Sequence, residues 1–357
     1  MVHYIRFLRT PRCDASKKTV DVSAVVAVQT DLSDALLSQD LVLNAEIVEA
    51  NSPWRVLHSQ SLQWQATSRA LKFTIPCPGK YTSWPVRLHL AAQETQSALN
   101  LAEIPEVLDI WSCDFLLSDK QRSEPIVERR LSLRNNTTVR IWEDVGESMA
   151  RHIWDASLGF VMYLARALSS SPPSGVATLA ALVKSSKVRK LQVLELGAGC
   201  GIVGISFAQL VKCDMYLTDL EDAQAVLAKN IRCASLLAGS TLQADVLDWA
   251  SGLEDSSNPN FDLILVSDCI YNPDSSVHLV EILRQLAACA PNTLIVVGFK
   301  RRHEADAVFF EHMRKTKFEI VESTQIPLPH RPTAYDADTP TTEFYLYRHQ
   351  GCSDPQR

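Results

Sequence analysis

Four of the twelve glycines of the chain fall within eight residues, 197–204, directly after the apolar run 191–196. Glycine lets a backbone approach a ligand closely, and the first turn of a following helix offers unpaired N–H groups. This pattern predicts a ligand site between a strand and a helix. The segment from Gly199 to Gly204 also fits the GxGxxG dinucleotide fingerprint, which matches many unrelated sequences. Asp219 would hold a ribose diol in either kind of site and leaves both open.

Glu195 helps to distinguish the two kinds of ligand. Its carboxylate stands two residues before the first glycine of the turn, Gly197. A negative charge at this position would repel the pyrophosphate of a dinucleotide. The same charge suits a ligand that carries an ammonium and a sulfonium group. Glu195 therefore favours the second kind of ligand.

Composition excludes several function classes. The 357 residues include 35 basic and 41 acidic side chains, a net charge of −6, which disfavours non-specific binding to nucleic acid or to anionic lipid. No run of about 18 apolar residues predicts a membrane span. The nine cysteines contain no CxxC pair, and His303 and His312 are off helical register for a shared metal. We expect small buried thiols, no metal site and a cytoplasmic, or also nuclear, protein.

The glycine turn lies in a stretch where apolar strand patterns alternate with helical ones. This order predicts an α/β fold with a doubly wound, mostly parallel sheet of seven strands. Two last strands, 318–322 and 343–348, have no helical pattern between them and are expected to pair antiparallel. The expected strands are 191–196, 214–218, 261–267 and 293–298, and the expected helices are 152–168, 202–211, 223–237 and 277–289.

The first part of the chain has a different pattern, with apolar residues at alternate positions. Half-buried strands are expected over 22–28, 41–48, 70–75 and 84–90, with a turn at 51–54. We therefore predict a smaller β-rich N-terminal domain of unknown role, residues 1–137. A larger α/β domain would occupy 138–350, followed by a flexible tail, 351–357.

Two motifs carry a resemblance to a known class of enzymes. Residues 195–201 (Glu-Leu-Gly-Ala-Gly-Cys-Gly), followed by residues 218–220 (Thr-Asp-Leu), resemble the first two motifs of class I, seven-strand S-adenosylmethionine-dependent methyltransferases. The antiparallel hairpin is similar to the usual ending of that class. Residues 153–156, 246–249 and 268–271 add a narrower resemblance, to the family-16 protein-lysine methyltransferases that modify chaperones, translation factors and the valosin-containing ATPase. It covers roughly residues 138–348.

The resemblance implies S-adenosylmethionine as the cofactor and assigns residues to it. Glu195 would lie near the cofactor's ammonium, Asp219 would accept the two ribose hydroxyls, and Trp249 would lie against adenine. The glycine turn would line the methionine and ribose portions, and two other segments would close the pocket. The implied cofactor residues are Trp154, Glu195, Gly197, Ala198, Gly199, Asp219, Trp249 and Ser267.

Asp268 and Tyr271, which follow the expected strand 261–267, are implied to face a substrate lysine. A free lysine has a pKa of about 10.4 and is protonated at neutral pH, so it cannot attack a methyl group until its proton leaves. Asp268 would attract the ammonium and hold the nitrogen after proton loss, and Tyr271 would form a wall of the lysine channel. The implied partner is a protein that presents a lysine to a monomeric enzyme.

Each of these residues also has a purely structural interpretation. Trp154 and Trp249 could be packing residues, Asp219 a turn former and Asp268 a helix cap. The basic run 300–303 resembles the basic segment after the family's fifth strand, although such a run is more often a solvated loop.

Three functions remain open at this level. The favoured one is methylation of lysine side chains on a protein. A methyltransferase for a small amine would use the same acidic and aromatic residues. A non-catalytic interaction protein would retain the fold alone, and a nicotinamide-dependent dehydrogenase is disfavoured by Glu195.

Overall fold

The computed structural model describes residues 2–15, 19–78, 84–93, 104–118, 120–133, 137–146, 148–253, 260–329 and 339–351. The expected tail, apart from Gly351, lies outside these ranges. Two compact units emerge from the contacts of the chain. The first contains residues 1–132, 140–149 and 329–336, and the second contains residues 133–139, 150–328 and 337–357.

The first unit contains two β-sheets in which most neighbouring strands run antiparallel. One has the strand order β5-β2-β1-β7, and the other has the order β11-β10-β8-β6-β3-β4, with β9 paired to β6. Its strands are β1 (His3–Ala15), β2 (Thr19–Gln29), β3 (Leu41–Glu49), β4 (Ser52–Trp64), β5 (Leu71–Pro78), β6 (Pro85–Ala92), β7 (Val107–Leu108), β8 (Ile110–Ser112), β9 (Phe115–Leu116), β10 (Ile126–Ser132) and β11 (Thr138–Asp144).

Alternating apolar residues explain these sheets. In β2 buried and partly exposed side chains alternate along most of the strand, which places one face on the core of the unit. The four strands expected in this region are confirmed as β2, β3, β5 and β6. The expected turn at 51–54 is wrong in length, because the turn occupies Ala50 and Asn51 and β4 already begins at Ser52.

The second unit combines helices with one sheet, which confirms the α/β class. The sheet order is β14-β13-β12-β15-β16-β18-β17; the first five strands run parallel, and β18 runs antiparallel to both of its neighbours. Its elements are α1 (Asp155–Ala167), α2 (Ala177–Ser185), β12 (Leu191–Leu196), α3 (Ile202–Leu210), β13 (Cys213–Asp219), α4 (Glu221–Cys233), β14 (Thr241–Val246), β15 (Leu263–Ser267), α5 (Pro273–Cys289), β16 (Leu294–Phe299), α6 (Ala307–Lys315), β17 (Phe318–Pro327) and β18 (Thr341–His349).

The order of this sheet determines where a ligand can bind. The central strands β15 and β16 are buried along their whole length, as expected for strands covered on both faces. From β12 the chain continues to β13 and β14 on one side and returns to β15 and β16 on the other. This reversal opens a crevice at the carboxyl ends of β12 and β15.

Some elements differ from the expectation. Helix α1 begins at Asp155, and Trp154 precedes it in extended backbone, so Trp154 does not extend the helix's apolar face. Helix α4 ends at Cys233 because Ala234 is extended. Helices α2 and α6 were not predicted; they are nine residues each and bury only three and two apolar side chains, so the apolar pattern of each is short. Within the described ranges, no helix is long and apolar enough to cross a membrane.

Candidate active site

The glycine turn after β12 accepts no side chain at its first two glycines. Gly197 and Gly199 adopt φ values of +67° and +55°, a region that other residues rarely enter. A Cβ on Gly197 would lie 2.4 Å from Cys269 Sγ and 3.2 Å from Trp249 Cζ2. A Cβ on Gly199 would lie 2.9 Å from the Ala150 carbonyl oxygen. The turn therefore requires glycine at these two positions.

Asp219, the last residue of β13, is bound to this turn. Its Oδ2 accepts a hydrogen bond from the Gly199 N–H at 2.7 Å, and its Oδ1 accepts one from the Leu220 N–H at 2.7 Å. The Ala198 N–H, in turn, donates to the Thr218 carbonyl oxygen at 3.0 Å. Burial raises the pKa of Asp219. A carboxylate has about four acceptor positions, so Asp219 keeps acceptor capacity for ribose hydroxyls.

Glu195 lies beneath the turn, inside β12. Its side chain is almost fully buried, and its Oε2 accepts a hydrogen bond from the Gly204 N–H at 2.8 Å. That N–H belongs to the first turn of α3, where backbone donors have no partner within the helix. Burial, with a smaller contribution from the Asp219 charge, raises the pKa of Glu195 to about 8. The structure thus shows a helix contact for Glu195, and its contact with an ammonium stays a prediction.

Trp249 and Cys269 complete the surroundings of Gly197. Trp249 is partly buried and packs against the apolar cluster under β12 and β15. The Cys269 thiol donates to the carbonyl oxygens of Leu196, at 3.4 Å, and Ser267, at 3.3 Å. Cys269 was not predicted as a site residue. The available signal was its place beside Asp268 in the post-strand motif.

Two residues expected to close the pocket lie just before α1 and at the end of β15. The Ser267 hydroxyl lies 3.3 Å from the Ser157 hydroxyl of α1. Trp154 lies immediately before α1, and the guanidinium carbon of Arg302 is 5.7 Å from the centre of its ring. Their closing of a pocket stays a prediction.

Asp268 is held in place by backbone and side-chain contacts. Its φ of +55° is unusual for a residue with a side chain, and its N–H donates to the Gly298 carbonyl oxygen at 2.8 Å. The two carboxylate oxygens accept hydrogen bonds from Arg302 at 2.6 and 2.8 Å. The interpretation of Asp268 as a helix cap is wrong, because the Asn272 side chain caps α5 by accepting from the Asp274 N–H.

The expectation of a solvated loop after β16 is only partly right, because Arg301 and His303 are exposed whereas Lys300 and Arg302 are not. Lys300 is buried, and its Nζ lies 2.7 Å from Asp155 Oδ2 at the start of α1. Arg301 forms a bidentate pair with Glu343 of β18, at 2.9 and 3.0 Å. His303 caps the short 3₁₀ helix Glu304–Asp306. Each cation is thus paired with a carboxylate on a different element.

Tyr271 is the most open of the expected site residues. Its side chain is 56% exposed after the end of β15, and burial of its remaining surface raises the pKa of the hydroxyl. An exposed ring at this position can contact an incoming side chain. Its role stays a prediction.

These residues fit S-adenosylmethionine in their chemistry. The turn carries no side chain at Gly197 and Gly199, Asp219 and Glu195 supply carboxyl groups, and Trp249 supplies an aromatic surface beside Gly197. In the part of the chain that the structure describes, no three His, Cys, Asp or Glu side chains converge on a metal position. The fold and the crevice together define an S-adenosylmethionine-dependent methyltransferase.

Comparison with known proteins identifies the family. Residues 133–316 match the family model described as lysine methyltransferase, and the chain belongs to that family. A UPF0665 family protein of Schizosaccharomyces pombe is 26% identical over 87% of this chain and 92% of its own length. The protein-lysine N-methyltransferase EFM2 of Saccharomyces cerevisiae is 28% identical over 71% of this chain, which spans 62% of EFM2. The protein N-lysine methyltransferase METTL21A of Mus musculus is 31% identical over 50% of this chain and 74% of its own length.

The family confirms the function favoured from the sequence. The chain is an enzyme that transfers methyl groups from S-adenosylmethionine to lysine side chains of a protein. The resemblance stated from residues 195–201, 218–220 and 268–271 is confirmed at the level of the family.

Proposed function

We propose that S-adenosylmethionine binds in the crevice at the carboxyl ends of β12, β13 and β15, and that the substrate lysine approaches along Asp268 and Tyr271. The contact that carries the proposal is the 2.7 Å hydrogen bond between the Gly199 N–H and Asp219 Oδ2. It joins the glycine turn to the carboxylate that would accept a ribose diol, on the neighbouring strand. The sheet of seven strands with an antiparallel end supports the class I arrangement.

Each pocket residue has a role that follows from its chemistry. When bound, S-adenosylmethionine supplies an electrophilic methyl group on a sulfonium. Asp219 would accept the ribose hydroxyls, and Trp249 would cover the adenine. The backbone of Gly197, Ala198 and Gly199 would line the methionine and ribose portions of the cofactor. Trp154 and Ser267 would close the pocket, and Glu195 would lie near the ammonium.

The lysine site has to deliver a neutral amine. A lysine with a pKa of about 10.4 is almost entirely protonated at pH 7, and its ammonium is repelled by the sulfonium. The proton leaves to water, and the site holds the nitrogen in line with the methyl group. Orientation of this kind can supply about 7 kcal/mol of the barrier. Asp268 is suited to hold the nitrogen rather than to act as a strong base.

Binding and transfer test this proposal separately. We expect Asp219→Ala to weaken S-adenosylmethionine binding by more than about tenfold, since a charge-assisted hydrogen bond pair is lost. Calorimetry measures the affinity, and transfer of labelled methyl groups to lysate protein measures the activity. Glu311→Gln, on the exposed face of α6, is the control, and we expect it to retain both the cofactor affinity and the transfer activity. An Asp219→Ala variant with wild-type affinity would contradict the proposed ribose contact.

We further propose that the β-rich part, residues 1–137, selects the protein partner, and that residues 138–350 form the methyltransferase domain. The catalytic motifs alone cannot distinguish one exposed lysine from another. The net charge of −6 favours a protein over a nucleic acid as the partner. Eight cysteines among the described residues are free thiols, which supports a reducing compartment, the cytoplasm or the nucleus. We propose a monomer as the active form.

A further inference from the structure

The Asp268 carboxylate is already paired with a cationic side chain. Arg302 binds both of its oxygens, and the Asp268 side chain is 5% exposed while that of Arg302 is 18% exposed. The proposed lysine site therefore contains a buried, bidentate ion pair. The expectation that Asp268 presents a net negative charge to an incoming ammonium has to be reconsidered on this geometry.

Several contacts keep this pair together. The Arg302 N–H donates to Asp306 Oδ2 at 3.1 Å, and its guanidinium also lies 3.4 Å from the Lys300 carbonyl oxygen. On the other side, Asp268 is anchored by the hydrogen bond of its N–H to Gly298. A buried ion pair is costly to separate, since one charge is then left without compensation. The substrate lysine would therefore contact Asp268 while the ion pair is intact, and would not displace Arg302.

The charge of the pair matters for the substrate. A lone carboxylate stabilises the ammonium form of a nearby lysine, so the lysine keeps the proton that it has to lose. Arg302 offsets this charge, yet leaves the carboxylate with acceptor positions that a neutral amine can use. The pair thus presents a hydrogen-bond acceptor with little net charge.

Other charged groups around the pair are largely balanced. Asp155 lies on Lys300, and Asp306 accepts from the backbone N–H groups of Arg302 and His303. Burial raises the pKa of the Cys269 thiol, and the charges of Asp219, Asp268 and Glu195 raise it further. Asp219 and Glu195 are the carboxyl groups reserved above for the cofactor. The charge that acts on the lysine is therefore set mainly by Asp268 and Arg302.

We propose that Arg302 is a positioning residue of the methyl-transfer site, which holds Asp268 as a hydrogen-bond acceptor and offsets its charge so that the substrate lysine binds as the neutral amine. The inference rests on the proposed function of the site. It assigns to the basic segment after β16 a part in the reaction beyond packing.

The pH dependence of the reaction tests this role. Labelled methyl transfer from S-adenosylmethionine to lysate protein is followed, for the full chain, from about pH 6 to about pH 10. For the wild type the rate rises with pH as the substrate amine loses its proton. With Arg302→Gln we expect the midpoint of this rise to move up by about one pH unit, so that the rate falls about tenfold at neutral pH and recovers at alkaline pH. Arg302→Lys should restore most of the wild-type profile.

A charge-balanced set of variants keeps the test decisive. Asp268→Asn should move the midpoint to lower pH, and the double variant Arg302→Gln, Asp268→Asn should bring it back toward the wild-type value. Arg301→Gln removes a neighbouring charge that is paired with Glu343, and should leave the midpoint unchanged. A loss of rate in Arg302→Gln that the added Asp268→Asn change does not relieve would overturn the proposal, and so would a gain of rate at every pH, which would identify Arg302 as a blocking group.

Cofactor affinity separates this inference from the proposed function. Calorimetry with S-adenosylmethionine alone should give similar dissociation constants for the wild type and for the five variants, all of which retain Asp219. If the wild type neither binds the cofactor nor transfers label at any pH, the proposed function fails. If binding and transfer are normal and the midpoints do not move, the role of Arg302 fails alone.

Discussion

Glu195 and Glu128 are buried carboxyl groups whose pKa values move in opposite directions. Glu195 has one backbone N–H as a hydrogen-bond donor, and burial raises its pKa to about 8. Glu128 of β10 is bound by three arginines, Arg87, Arg130 and Arg140, which lower its pKa to about 2 against the cost of burial. Burial favours the protonated form at both positions, and only Glu128 has charged donors that favour the ionised form more strongly.

Glu195→Gln is expected to flatten the pH dependence of stability. Between pH about 4.5 and about 8, the folded chain keeps a proton on Glu195 that the unfolded chain has lost, so the free energy of unfolding falls as pH rises. Glutamine still accepts from the Gly204 N–H but does not titrate. Urea unfolding measures the free energy of unfolding at about pH 5 and about pH 8. The decrease between these two pH values should be smaller in the variant than in the wild type by a few kcal/mol. An unchanged drop would place the pKa of Glu195 near its ordinary value.

Gly197→Ala is expected to lose both stability and cofactor affinity. Gly252 supplies a matched control: its φ of +77° is similar, but a Cβ there would meet nothing within 4 Å. Gly252→Ala should cost about 1 kcal/mol from backbone strain alone. Gly197→Ala adds the contacts with Cys269 and Trp249, typically a further 1–3 kcal/mol, roughly, for overpacking. Urea unfolding and calorimetry measure the two effects, and equal losses for both variants would show that the turn has room for a methyl group.

At the scale of elements, Glu128 joins three strands of one sheet. It lies on β10, and its arginine partners lie on β6, β10 and β11. Since the folded pKa is lower than the unfolded one, the stabilisation is complete above pH about 4.5 and is lost as pH falls toward about 2.

Glu128→Gln should remove this acid sensitivity. The full shift corresponds to about 3 kcal/mol, of which the wild type loses about 2 kcal/mol by pH about 3 and the variant loses none. The variant should also be less stable at neutral pH, because three guanidinium groups lose their counter-charge. Urea unfolding at about pH 7 and about pH 3 measures both effects. Parallel acid profiles for the two proteins would contradict the assignment.

The sequence predicts local elements better than the contacts between them. The glycine turn, Asp219 and the apolar strands are patterns within a few residues, and the structure contains them. The pairs Lys300–Asp155, Arg301–Glu343 and Arg302–Asp268 join residues 145, 42 and 34 positions apart. Strand order brings these residues together, and composition around each one predicts only a charged loop.

At the scale of the whole molecule, the two units differ in how far the family describes them. The lysine methyltransferase model matches residues 133–316, most of which lie in the second unit. The match to the Schizosaccharomyces pombe relative covers 87% of the chain, so it includes much of the β-rich part as well. This match therefore extends beyond the part of the chain that the lysine methyltransferase model covers.

Removal of the first unit tests its proposed role in selecting the protein partner. Strand β11 pairs within the first unit's sheet, so a truncation that starts at Ala150 avoids leaving it without its neighbour. The shortened chain retains the glycine turn, Asp219 and Trp249, and we expect S-adenosylmethionine affinity within about threefold of the wild type, a difference below about 1 kcal/mol. Labelled methyl transfer to the lysate protein that the full chain modifies should fall below about a tenth of the wild-type rate, since selection of the partner is lost.

The affinity measurement makes the loss of transfer interpretable. A truncated chain that binds the cofactor has a folded crevice, so a missing label on the partner then reports recognition and not misfolding. Arg302→Gln in the full chain gives the complementary pattern, because its transfer should recover at alkaline pH whereas that of the truncated chain should not. If the truncated chain methylates the same protein at the wild-type rate, substrate choice belongs to the methyltransferase domain, and the exposed Tyr271 beside the lysine site becomes the next position to vary.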